Sequence, residues 1–339
     1  MTSEPATLEV RQIDPADEMT LRASYDLERR ALLAGREGSP HWSWSEMAAI
    51  WRQPDPGEDG RLYGGWVEGR MVGGAVLFMP LEDNTSKCWL GVAVDPAEQG
   101  RGHGRALLEA VEAVAREHGR TELMAETKLP FDQITQHRHR RFAEAAGYDF
   151  ANVEIVRHLT LPVPDADLDA WAAEAAERHA GYRIETFVNE VPDELLESML
   201  VLHGQLAVDA PTGAVDWEEE VITPERWRAN LDSLLSAGRT MYETLAIADD
   251  GTVAAQTTIA VPSNRTDVSQ WGTFVHREHR GHRLGLAVKV VNLRAMQQAH
   301  PQMQRVITQN AESNDFMVSI NEKMGFEPVE AATEFVKRV

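Results

Sequence analysis

The sequence predicts an α/β (α+β) protein built from two tandem copies of one domain, each a mixed, mostly antiparallel, twisted sheet flanked by helices. Three observations carry this. The chain has 339 residues, 43 % of them hydrophobic, enough for two cores and too long for one ordinary domain. It repeats itself: Gly69 to Val76 reads like Asp250 to Thr257, Trp89 to Val94 like Gln270 to Val275, and Gln99 to Gly104 like Arg280 to Gly285, each at an offset of 181 residues. Phe142 to Tyr148 then parallels Ile320 to Phe326 at an offset of 178. Finally, each copy places a glycine-bearing turn between an apolar strand and an amphipathic helix.

The elements follow in the same order twice. Copy one opens with helical stretches, Met19 to Leu33 and Trp44 to Trp51, then strands Leu62 to Glu68, Met71 to Phe78 and Lys87 to Val94. A helix from Gly104 to His118 carries Leu107, Leu108, Val111 and Val114 on one face and stops at Gly119. A strand Thr121 to Thr127, a helix Gln136 to Ala146 and a strand Val153 to Leu161 complete it. Copy two gives strands Thr240 to Ala248, Thr252 to Val261 and Val268 to Val275, and a helix Gly285 to Ala299 stopped by Pro301. A strand Gln304 to Thr308, a helix Asn314 to Met324 and a strand Val329 to Val336 follow. Leu161 to Asp165, with two prolines, breaks regular structure. The expected division is therefore 8–162, a linker 163–181 with a short acidic helix from Leu168 to Ala180, and 182–339.

Lys plus Arg is 33 and Asp plus Glu 54, a net charge of −21. That field opposes docking on nucleic acid or anionic lipid, so neither is an expected partner. It draws in cations such as a polyamine, an amino sugar or a basic side chain, although acidity also simply keeps proteins soluble. Cys88 is the one cysteine, which excludes an intramolecular disulfide and a cysteine-rich metal site; no metal is expected. Met1 to Val10 has no apolar core and no stretch approaches the ~18 apolar residues of a membrane span, so a cytoplasmic location is expected.

Gln99-Gly100-Arg101-Gly102-His103-Gly104, followed by Arg105, lies where free N–H groups and a helix dipole make an anion site. Gly102 and Gly104 are expected to allow close approach and positive φ, and Gln99, Arg101 and Arg105 can add donors to a pyrophosphate. The same residues also read as a tight strand-to-helix turn with incidental charges. A P-loop is excluded because no Gly-Lys-Ser/Thr follows, and the Rossmann spacing fails.

With Gln99-x-x-Gly102-x-Gly104 after Val92-Ala93-Val94, and a Gly-Tyr or Gly-Phe near each copy's end, the chain resembles the GNAT superfamily of N-acetyltransferases, in the duplicated layout of mycothiol synthase-like members. The resemblance implies acetyl-CoA as co-substrate, its pyrophosphate on the turn and its pantetheine arm between splayed fourth and fifth strands. On that basis Val92, Ala93, Val94, Gln99, Gly100, Arg101, Gly102, His103, Gly104 and Arg105 line the cofactor in copy one. Their counterparts are Phe274, Val275, Arg280, Gly281, His282, Arg283, Leu284 and Gly285. Asn314 matches an asparagine that holds the pantetheine arm, or else caps its helix; Gln136 is its counterpart. The implied reaction is direct attack of a small, cationic primary amine on the thioester, polarised by a backbone N–H. Cys88 is then a core residue, not a nucleophile. A monomer whose halves pack as an internal pseudo-dimer is expected.

The sequence also departs from the pattern. Arg283 replaces the first motif glycine of copy two, leaving either a site with an arginine at negative φ or a degenerate one. Asn321 and Ala143 stand where a tyrosine often protonates the thiolate. Candidate bases are Glu126, His276 and Glu243, each equally readable as a residue meeting solvent. The basic run His137 to Arg141 reads as a solvated face or a 3′-phosphate contact. Copy two, with Asn310, Asn314, Asn321 and a loop from Val208 to Gly213, is the expected acetylating half, Arg280 and Arg283 gripping the pyrophosphate. Copy one is then a slow or silent CoA-binding half. The alternative is a tandem pseudoenzyme that binds acyl-CoA as a structural ligand or sensor.

Overall fold

A computed structural model describes residues 7–36, 39–209 and 213–339. In chain order the elements are β1 (Glu9–Gln12), α1 (Glu18–Leu33), α2 (Trp44–Arg52), β2 (Glu58–Val67), β3 (Arg70–Pro80), β4 (Lys87–Val94), α3 (His103–Glu117), β5 (Glu122–Pro130), α4 (Arg138–Ala145) and β6 (Asp149–Thr160). After them come α5 (Asp165–Ala176), β7 (Tyr182–Val188), α6 (Asp193–Gly204), α7 (Leu206–Asp209), α8 (Pro224–Ser236), β8 (Thr240–Ala248) and β9 (Val253–Val261). The chain closes with β10 (Asp267–Val275), α9 (Leu284–Ala299), β11 (Arg305–Ala311), α10 (Asp315–Lys323) and β12 (Glu327–Arg338). The alternating pattern that predicts strands and the 3.6-residue pattern that predicts helices both hold, with ends moved by a few residues. The opening strands β1 and β7 and the helices α6 and α8 carry weak patterns and are absent from the sequence reading.

Two compact units result. Unit one comprises the chain up to Thr127, Gln136–Ala151 and Glu334–Val339; unit two comprises Lys128–Thr135 and Asn152–Thr333. The grouping differs from a linear cut at 162, because most of β6 belongs to unit two and the last residues of the chain to unit one.

In unit one the strand order is β1-β2-β3-β4-β5, with the end of β12 beside β5. Antiparallel pairs join β1 to β4, and β4 meets β5 in parallel. The stripe Leu107, Leu108, Val111 and Ala115 of α3 packs on Tyr63, Ala75, Leu77, Leu90 and Leu123, and Phe335 from the chain end completes this core. On the opposite face Leu21 of α1 and Trp51 of α2 pack with Ile13 and Leu62. Ser43 and Glu46 form a capping box that sets the start of α2.

In unit two the order is β6-β11-β10-β9-β8-β7. β11 pairs β6 antiparallel from Arg305↔Thr160 to Ala311↔Glu154. β9 is buried along its whole length, with α9 on one face through Leu286, Val290 and Leu293, and α6 on the other through Leu196, Met199 and Leu202. The polar exceptions on α9 are Lys289 and Asn292, both fully buried. Asn292 donates to the carbonyls of Tyr242 and Thr257, tying the helix to two strands.

Candidate acyl-donor sites

In unit one the parallel pairing of β4 with β5 runs Lys87↔Glu122, Cys88↔Leu123, Trp89↔Met124 and then stops. β4 continues to Val94, still fully paired with β3 up to Gly73↔Val94. The two strands therefore part, and Val92, Ala93 and Val94 are half-exposed although they belong to an inner strand. The Asp95 N–H bonds to the Val72 carbonyl, on the β3 side. Strand alternation then turns the backbone groups of Val92 and Val94 the other way, into the gap. The Val94 carbonyl is met there by the Gln99 side-chain amide at 3.1 Å.

The turn that follows owes its shape to two glycines. Gly100 has φ 79° and Gly102 has φ 87°, and a Cβ built at either meets nothing within 4 Å, so glycine is required for conformation and not for room. Gly102 brings no side-chain cap to α3, leaving the first N–H groups of that helix free to face an anion. A Cβ on Gly104 would touch Val94 at 3.5 Å and Phe142 at 3.6 Å, ordinary contacts that keep this position small. Two expected donors are engaged elsewhere: Arg101 pairs with the buried Glu98 at 2.8 Å and Arg105 reaches the Ala145 carbonyl at 3.4 Å. Arg138, from the run readable as a solvated face or a 3′-phosphate contact, donates to Gln99 Oε1 at 2.9 Å and brings a guanidinium to the turn.

Unit two repeats the parting and alters the turn. β10 pairs β11 only over Asp267↔Arg305, Val268↔Val306 and Ser269↔Ile307. A register shift against β9 lies between Gln270 and Thr273, where the Gln270 amide holds Thr257 Oγ1 at 2.9 Å and the Thr258 carbonyl at 2.8 Å. Gly281 keeps φ 85°. Arg283 has φ 54°, not the negative φ under which an arginine there was expected to serve, so the left-handed turn is kept at a cost in strain.

The arginines of this second turn do not grip an open site. Arg283 donates to the Glu174 carbonyl at 2.6 Å and to Glu177 at 2.8 Å, capping the end of α5. His282 Nδ1 lies 3.1 Å from the Arg178 carbonyl. Arg280 donates to Asp209 Oδ2 at 2.8 Å, and Arg277 shares the same carboxylate at 2.8 Å, which holds Asp209 below the usual carboxylate range. An internal carboxylate and the end of α5 thus engage the arginines of this turn, while α9, like α3, begins with no side-chain cap. Ala210, Pro211 and Thr212, from the loop expected to shape an acceptor pocket, lie outside the described residues.

Comparison with known proteins agrees with this geometry. Residues 22–143 match the acetyltransferase (GNAT) family. A solved tandem GNAT protein from the clavulanic acid biosynthesis pathway is 25 % identical, with a TM-score of 0.76 over 98 % of each chain. Residues 22–143 thus form a GNAT-family domain, and the whole chain has the fold of a tandem GNAT protein. A GCN5-related N-acetyltransferase from Sphaerobacter thermophilus shares the fold at 19 % identity, TM-score 0.63, over 98 % of this chain and 95 % of that one. So does Saccharomyces cerevisiae N-myristoyltransferase, at 11 % identity and TM-score 0.60, over 99 % and 80 %. No curated protein sequence matches the chain. Acyl transfer is the activity this family carries, and its members use acetyl-CoA or another acyl-CoA.

Several single residues take places that the sequence left open. Asn314 caps α10, its Oδ1 accepting from the Met317 N–H at 3.2 Å. Asn321 is buried between Lys289, which donates to its Oδ1 at 2.7 Å, and Asn310, whose Oδ1 it reaches at 2.9 Å. Burial lowers the Lys289 ammonium to about 7. Among the base candidates, His276 Nδ1 accepts from the Glu278 N–H, Glu243 is enclosed against Thr258, and Glu126 is exposed on β5. Cys88 is fully buried and burial pushes its thiol up to about 12, so it carries no thiolate at neutral pH.

Proposed function

We propose that this protein transfers the acetyl group of acetyl-CoA directly to the amine of a small cationic substrate, and that unit one holds the acetyl-CoA. The carrying observation is the parting of β4 from β5 beside a turn with two positive-φ glycines and an uncapped α3, whereas the second turn has Arg283 at positive φ and its arginines tied to Asp209 and α5. The Val92 backbone groups and the Val94 N–H, turned into the gap, suit an amide-bearing pantetheine arm laid alongside β4 as an extra strand. The Val92 N–H is placed to polarise the thioester carbonyl, and the α3 N–H groups with Arg138 to take the pyrophosphate. The net charge of −21 favours a cationic acceptor. The sensor reading applies best to unit two, whose turn arginines are tied to the protein itself and support a scaffold role.

Calorimetric titration with acetyl-CoA tests this assignment. Gly102→Val, which forces a β-branched residue to positive φ, and Arg138→Ala, which removes a charge-assisted contact of about 1.5 to 3 kcal/mol, are each expected to weaken binding roughly ten- to a hundredfold. Arg280→Ala and Arg283→Ala are expected to leave the affinity unchanged. Affinity that follows the Arg280 and Arg283 changes while ignoring Gly102 places the donor in unit two and overturns the reading.

A further inference from the structure

Glu28 stands on the inward stripe of α1, in line with the buried Leu21, Ser24 and Tyr25 and two turns beyond Leu21. Glu28 itself is half-buried, and a desolvated carboxylate needs partners, yet no hydrogen bond or ion pair reaches it from the described residues. Two anchors fix where it points. Ser24 Oγ lies over Gly74, 3.7 Å from where a Cβ there would be, and Gly74 is the register partner of Ala93. Arg30 pairs with Asp95, the residue after β4, at 2.8 Å. Glu28, between these two positions on the same helix, therefore overlies the end of β4 where the strand has left β5.

We propose that Glu28 is the catalytic residue that receives the acceptor's proton in unit one. This rests on the assignment of acetyl-CoA to that unit. The ammonium of the acceptor gives a proton to the Glu28 carboxylate; the freed amine attacks the thioester carbon, whose oxygen takes the charge against the β4 backbone. That attack forms the C–N bond, and collapse of the tetrahedral intermediate breaks the C–S bond, the thiolate leaving with the second amine proton as free CoA thiol. Desolvation raises the Glu28 carboxyl above the ordinary carboxylate range, which strengthens it as a base. The other ionisable groups near this end of unit one are placed less well. Arg30 and Asp95 satisfy each other, Tyr25 donates to the Trp42 carbonyl, and His139, lowered to about 4 by burial, is engaged with Thr127. His137 caps α4 by accepting from the His139 N–H. Glu126, by strand alternation with Met124, is a rival carboxylate on the same face.

The experiment follows CoA thiol release from acetyl-CoA with ethylamine, spermidine, glucosamine and lysine as acceptors, together with acetyl-CoA affinity and thermal stability. Glu28→Gln is expected to lower kcat roughly a hundred- to a thousandfold at unchanged acetyl-CoA affinity, Glu28→Asp to retain part of the rate, and Glu126→Gln to change it little. Full turnover by Glu28→Gln, or a loss confined to Glu126→Gln, overturns the proposal while leaving the acetyl-CoA site standing. Wild-type protein that fails to bind acetyl-CoA overturns the functional reading itself. Binding without thiol release on any of the four amines overturns both.

Discussion

Deleting Glu334–Val339 is expected to unfold unit one, although these residues lie more than 180 positions beyond its other segments in the chain. Phe335 is 1 % exposed within the core of α3 and β3 to β5 and meets Phe150 edge-on at 5.9 Å. Lys337 donates to both oxygens of the buried Glu112 at 2.8 Å and to the Ala146 carbonyl at 2.9 Å. The Val339 N–H closes on the Thr121 carbonyl. Losing the phenyl ring alone costs about 3–5 kcal/mol, and leaving Glu112 with only Arg116 and the Tyr148 hydroxyl adds to it, a total comparable with the stability of a domain. Hydrogen exchange is the direct measurement. Amides of α3 should lose protection and acetyl-CoA binding should disappear, while amides of α9 remain protected. Phe335→Ala should give the same pattern more mildly. Unchanged protection of α3 in the truncated chain would falsify the account.

The second large effect concerns Glu243, buried on β8 with Thr258 Oγ1 at 2.7 Å on one oxygen and no partner for the other. Burial, opposed only by that hydrogen bond, pushes its carboxyl from 4.5 up to about 8. The folded carboxyl therefore keeps a proton that the unfolded chain releases between these values, and stability falls as pH rises through that window. At ~1.4 kcal/mol for each tenfold step the upper bound is about 5 kcal/mol, and relaxation of the site leaves a few kcal/mol. Glu243→Gln keeps the shape and removes the ionisation. Its melting temperature should match the wild type near pH 5 and exceed it increasingly towards pH 8.5. A difference that stays constant across this range would show that Glu243 stays ionised in the folded protein. The same burial explains why Glu243, a base candidate by residue type, acts as a neutral core group.

Residue patterns alone established the duplication, the order of strands and helices and the glycine turn, because each depends on neighbours within a few residues or on an offset that can be counted. The 3.6-residue stripe of α3 and the apolar runs of β4 and β10 needed nothing else. Positive φ at Gly102 was equally legible, since only glycine takes that conformation at no cost, whereas Gly104, expected to share it, lies within α3 and Gly100 takes the left-handed turn instead. What the sequence could not weigh was competition for charged side chains. Arg101, Arg280 and Arg283 look available in a list of residues, but a guanidinium takes whichever carboxylate or carbonyl folding brings near: Glu98, Asp209, and Glu177 with the Glu174 carbonyl. Arg138 moved the other way, from a run readable as a solvated face or a 3′-phosphate contact to the turn. Glu28 escaped notice because a lone glutamate in an amphipathic helix carries no pattern until packing shows which face is covered. The membership of Phe335 in unit one was decided by tertiary structure for the same reason: strand pairing depends on edges that meet in space, and no local preference records which edge a chain end will join.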